Sequence, residues 1–179
     1  MTLLVLYVII FIYLIKGGEC MGNYTGLRMK VYVKPEYRDL IKKVHEYDME
    51  DWEDFVPEYP FLAAFAHKDR NTFIPHGSIC YMPESWASWD DDTHVKTIHN
   101  GFEHSFNEKT GYWTFACSLK NYEGEIGIFL ESVASQIVQP LMPQYIEVLY
   151  EEWTSGKLYE VDTNGELGIV GYKDYEEDF

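Results

Sequence analysis

Tyr112-Trp113-Thr114-Phe115-Ala116-Cys117-Ser118 opens the stretch, residues 111–153, around which the chain is organised. Trp113, Phe115 and Cys117 fall on one side of an extended segment because side chains alternate with period two, so the run predicts a half-buried strand. Ile126, Phe129, Leu130, Val133, Ala134 and Ile137 then recur at the three- and four-residue spacing of a single helical stripe, and Pro140 ends it. Tyr145-Ile146-Glu147-Val148-Leu149-Tyr150-Glu151 returns to β-branched and aromatic residues, which predicts a second strand. The unit is βαβ-like and carries no catalytic motif. Gly124 and Gly127 read as close-packing positions of the helix against the sheet, not as a phosphate cradle.

Upstream, Leu27, Met29, Val31 and Val33 alternate with Arg28, Lys30 and Tyr32, the pattern of a strand with one buried and one wet face. Pro35 suits a first helical position, and Tyr37, Leu40, Ile41 and Val44 give a short helix its apolar stripe. A strand over Phe102–Phe106 joins the central strand through Asn107–Gly111 as a hairpin, and Asn164-Gly165 turns a second hairpin between Lys157–Val161 and Glu166–Tyr172. The expected fold class is α+β: a ferredoxin-like (split βαβ) antiparallel sheet with helices on one face, a long insertion after the first helix and an extra C-terminal hairpin. The aromatic insertion is expected to cover the other face. Inside it, Pro57–Ala66 predicts a short helix with Phe61, Leu62 and Phe65 on one side, and Asn71–Pro83 predicts extended chain broken by Pro75 and Gly77. Glu84–Asn100 predicts a loop that packs its tryptophans onto the body. Lys173–Phe179 predicts a frayed acidic tail.

A chain of 179 residues with 46% hydrophobic content fits a single domain, assigned to residues 21–172. The net charge of −16 opposes direct binding to nucleic acid, whose phosphates are met by Lys and Arg, and suits a basic protein partner. Cys20, Cys80 and Cys117 form no CxxC pair and are too scattered for a disulfide framework, which fits a reducing cytoplasm, with Cys117 a small buried hydrophobe. There is no GxGxxG, GxxxxGK[ST] or GxSxG motif, so no cofactor is expected, and Ser78 and Ser118 have no base near them in sequence.

The apolar run Leu3–Ile15 is shorter than the roughly 20 residues of a spanning helix, no basic residue precedes it, and Glu19 stands before Cys20 where a lipoprotein needs a small residue. Lys16-Gly17-Gly18-Glu19-Cys20-Met21 is what a purine-rich ribosome-binding site and start codon encode when read through. Met21 is therefore the expected start, and a membrane contact arises only if residues 1–20 are translated as an anchor.

Two segments carry the partner expectation. Asp48, Asp51, Trp52, Asp54 and Phe55 lie in an acidic, aromatic run, and Trp86, Trp89, Asp90, Asp91 and Asp92 form a second. Such charge is commonly a solvated face. The sharper reading is a docking surface in which aromatic anchors seat and carboxylates steer a basic protein. His94, His99 and His104 are spaced by five, which does not stack ligands on one helical face, so no metal ligand is assigned; a small metal-dependent hydrolase would use Asp90, Asp92 and His94. The segment Trp86-Ala-Ser-Trp89-Asp90, the hairpin of Phe102–Phe106 and Trp113–Ser118, the helix Ile126–Ile137 and the strand Tyr150-Glu151-Glu152 resemble the YubB-type ferredoxin-like domain of plasmid and phage proteins over residues 84–172. That family's Trp-Ser-Pro-Pro turn is replaced here by Cys117-Ser118-Leu119-Lys120-Asn121. The resemblance implies the fold and a mobile-element origin. With the charge, the expectation is a non-enzymatic phage or mobile-element protein that binds a basic host protein in the host cytoplasm; a structural or virion-associated role is the other non-enzymatic alternative.

Overall fold

A computed structural model describes residues 23–46, 52–90 and 95–175. Six strands form one antiparallel sheet: β1 (Tyr24–Tyr32), β4 (Ser105–Asn107), β5 (Tyr112–Lys120), β6 (Tyr145–Tyr150), β7 (Ser155–Val161) and β8 (Leu167–Asp174). Their order is β4-β5-β1-β6-β7-β8. A second, two-stranded sheet pairs β2 (Ala87–Asp90) with β3 (Val95–Ile98). A single turn, Pro35–Tyr37, leads into helix α1 (Arg38–Glu46), and α2 spans residues 125–137. The middle of α2, Phe129–Ala134, winds as π-helix.

Alternation along β1 decides what each face of the sheet receives. Leu27, Met29 and Val31 lie opposite Cys117, Phe115 and Trp113 of β5, and all six are fully buried on the side of the helices. There they meet Leu40, Ile41 and Val44 of α1 and the α2 stripe of Ile126, Phe129, Leu130, Val133, Ala134 and Ile137. The first half of the insertion joins this same layer through Trp52, Phe55, Leu62, Phe65 and Ile74. Each fully buried side chain of this kind contributes about 1.5–3 kcal/mol. The π-turn does not disturb the stripe, because all six α2 positions stay on the core side.

The opposite face is covered as well, by side chains from residues 77–90 and 95–104 and by Tyr175. Ile79, Ala87 and Phe102 pack on Ala116, while Trp86 and Tyr175 pack with Leu149. The expectation of a wet face on β1 is corrected here: Arg28 is 1% exposed.

Other local expectations change too. Residues 84–90 and 95–100 are not a plain loop, since β2 and β3 make a ribbon; Trp86, just before β2, is buried and Trp89 stays 56% exposed. Of the tail expected to fray, residues 173–175 are ordered, since β8 runs through Asp174 and Tyr175 is 1% exposed, while residues 176–179 lie outside the described residues. Asn71–Pro83 forms no strand: Ile74 is extended (φ −111°, ψ 114°) and the chain turns at the cis Ile74–Pro75 bond, as the break expected at Pro75 requires. Gly124 takes a left-handed φ of 75° just before α2, and a Cβ on either Gly124 or Gly127 would meet nothing within 4 Å, so neither is a close-packing position. Among the described residues no helix is long and apolar enough to cross a membrane.

Candidate functional site

Arg28 on β1 and Glu147 on β6 are directly paired in the sheet, so both side chains leave the same face toward the covering layer. Arg28 Nε donates to Glu147 Oε2 at 2.7 Å. Its Nη2 donates to the Tyr175 hydroxyl at 2.6 Å and to the Tyr145 hydroxyl at 3.3 Å. Both phenols then donate to Glu147, Tyr145 to Oε2 at 2.5 Å and Tyr175 to Oε1. Trp86 Nε1 donates to the Tyr175 hydroxyl at 2.8 Å. The guanidinium lies 4.4 Å from the Trp86 ring centre and 4.5 Å from that of Phe102, an aromatic cage around a buried cation. Arg28 Nη1 is buried without a hydrogen-bond partner.

Ionised Glu147 offers only acceptor sites, and three donors occupy its two oxygens. At 0% exposure it has no route to a substrate. The arrangement holds sheet, covering layer and chain end in one register rather than performing chemistry. Burial first, and then the bond to the Glu147 carboxylate, pushes the Tyr145 phenol up to about 12; the same two causes in the same order push Tyr175 up.

Tyr145 also reaches an open cavity of about 240 Å³ lined by Lys30, Tyr32, Tyr112, Pro143, Gln144 and Tyr145. Tyr32 and Tyr112 face each other across β1 and β5 with ring centres 5.0 Å apart. The polar groups of the cavity serve the fold: the Gln144 side chain holds both the N–H and the C=O of Val161, and Lys30 Nζ donates to the Asn100 carbonyl.

Three histidines separated by up to 59 positions converge elsewhere. His45 Nδ1 and His104 Nε2 are 3.0 Å apart, and the His76 ring centre is 4.5 Å from that of His104. His99, five residues from His104, instead bonds Ser88 Oγ through Nε2 at 2.9 Å. Sequence spacing could not find this cluster, because its members come from α1, the turn before Gly77 and the segment entering β4.

The expected docking residues divide by burial. Trp52 and Phe55 are 2% and 8% exposed, and Trp52 Nε1 donates to the Ile74 carbonyl at 3.0 Å, so both are core residues and not surface anchors. Trp86 is likewise interior. Asp54 is exposed beside Glu53, which pairs with His67 at 2.8 Å. Trp89 is the exposed tryptophan of the two acidic segments, on β2. Asp48, Asp51, Asp91, Asp92, His94 and the side chain of Asp90 lie outside the described residues, as do residues 1–22.

The serine and cysteine candidates are structural. Ser118 Oγ accepts from the Cys80 N–H at 2.7 Å and donates to the Ser78 carbonyl at 2.8 Å, tying a loop to β5. Cys117 is fully buried, and burial pushes its thiol up, away from the reactive thiolate. Comparison with models of known families, with curated proteins and with solved structures returns no match.

Proposed function

We propose that this chain is a non-enzymatic, acidic docking protein of a phage or related mobile element that binds and modulates a basic host protein in the host cytoplasm. The observation that carries this reading is Trp89. It is 56% exposed on a ribbon separate from the main sheet, and the sequence continues from it as Asp90-Asp91-Asp92. A large aromatic beside carboxylates is the chemistry of an interface anchor with electrostatic steering. The net charge of −16 favours a basic partner, one that handles nucleic acid being the natural target because carboxylates then stand where phosphates would. The finer fold assignment belongs to the same proposal. The strand order β4-β5-β1-β6, with α1 and α2 in one layer, supports a ferredoxin-like split βαβ core, the arrangement that the YubB-type resemblance implies.

The test is a pull-down from bacterial lysate with the wild-type chain, Trp89→Ala and Asp91→Asn/Asp92→Asn, washed at low and high salt. A basic protein retained by wild type at low salt, released at high salt and lost by both variants is the expected result. Equal retention by wild type and variants would refute docking through this ribbon.

A further inference from the structure

His45, His76 and His104 are each partly exposed to solvent. We propose that this cluster binds a zinc-type divalent transition metal ion, with His45 Nδ1 and His104 Nε2 as its first two ligands and His76 as the third. Spacing comes first. Two nitrogens bound tetrahedrally to zinc at about 2.0–2.1 Å stand roughly 3.3 Å apart. The observed 3.0 Å needs to open by only a few tenths of an ångström.

Proton balance is the second argument. A direct contact between two imidazoles is an N–H···N bond, in which one ring donates and the other accepts. When an ion enters, the donor ring carries its proton on its other nitrogen, so each ring turns one lone pair to the metal. Imidazole suits zinc, copper and nickel better than magnesium or calcium.

His76 supplies the third argument. Its Nε2 lies 2.8 Å from the Val44 carbonyl, which can only accept, so Nε2 carries a proton and Nδ1 is the ligand nitrogen of the proposed site. A backbone carbonyl on the far nitrogen is the usual support of a ligating histidine. His45 lies in the last turn of α1, the negative end of the helix dipole, and the net charge of −16 adds attraction for a cation. All three rings make other interactions as well. Among the described residues no group of three His, Cys, Asp or Glu side chains already stands ready to hold a metal ion, so the ion must draw His45, His76 and His104 together while His76 keeps its bond to Val44.

The experiment uses the untagged full chain, stripped with a chelator and titrated with CoCl2 under visible absorption, followed by competition with ZnCl2. One equivalent of Co2+ with d–d bands is expected, displaced by Zn2+. His45→Gln and His104→Gln should each weaken binding by at least about tenfold, and His99→Gln should leave it unchanged. Absence of binding to wild type, or equal binding by folded His45→Gln and His104→Gln, overturns the proposal. If those variants do not fold, imidazole 15N signals of wild type decide: ZnCl2 must shift His45 and His104 and spare His99, and unchanged His45 and His104 signals overturn it.

Discussion

At the scale of single residues, Arg28 and Glu147 carry the largest consequence. Removing one member of a buried ion pair strands the other charge, a cost of about 3–5 kcal/mol, whereas an apolar replacement of both can be close to neutral. Glu147→Gln should therefore lower the urea unfolding midpoint far more than Arg28→Met/Glu147→Leu. A larger loss in the double variant than in the single one would contradict this account. The phenols give the pair a pH signature. Tyr145 holds its proton up to about 12, whereas an unfolded tyrosine ionises near its ordinary value of 10. Between those values the unfolded state sheds a proton that the folded state keeps, so stability is full below pH 10 and falls as pH rises toward 12. Thermal melts from pH 8 to 11.5 should show this loss, and Tyr145→Phe should reduce it. These roles were only half legible: alternation on β1 and β6 puts Arg28 and Glu147 on the non-helical face, but not that another layer covers it.

At the scale of elements, β7 approaches the network so closely that one position has no room for a side chain. A Cβ on Gly156 would stand 2.5 Å from Glu147 Oε1 and 3.1 Å from its Cγ. Gly156→Ala should destabilise by roughly 1–3 kcal/mol through overpacking, read from the same urea midpoints. The β2–β3 ribbon behaves oppositely. Trp89→Ala should stay within about 0.5 kcal/mol of wild type by thermal unfolding, because an exposed side chain contributes little to the fold, so any loss of retention in the pull-down proposed above would not come from unfolding. Residues 84–100 were hard to read because four-residue strands leave too few alternations to declare a period, whereas the stripes of α1 and α2 repeat often enough to be unmistakable.

At the scale of the whole molecule, Tyr175 closes the second layer. Tyr175 bonds Glu147 and Arg28, accepts from Trp86, and its backbone N–H donates to the Thr154 carbonyl at 2.7 Å. A chain stopped after Asp174 should lose about 1–3 kcal/mol or more, since buried donors and acceptors are left unpaired. An unchanged unfolding midpoint would return Tyr175 to the status of a frayed tail.

What the sequence by itself determined is the set of strands and helices of the helical layer and the side of each that faces it, because periods of two and 3.6 residues are local properties of the backbone. The acidity was equally visible, since charge is a sum over residues. Only the tertiary structure decided the rest: that Arg28 is caged, that Trp52 and Phe55 are interior while Trp89 is exposed, and that His45, His76 and His104 meet. Those facts depend on which distant segments come together, and contacts across 59 or 147 positions leave no periodic trace in the chain.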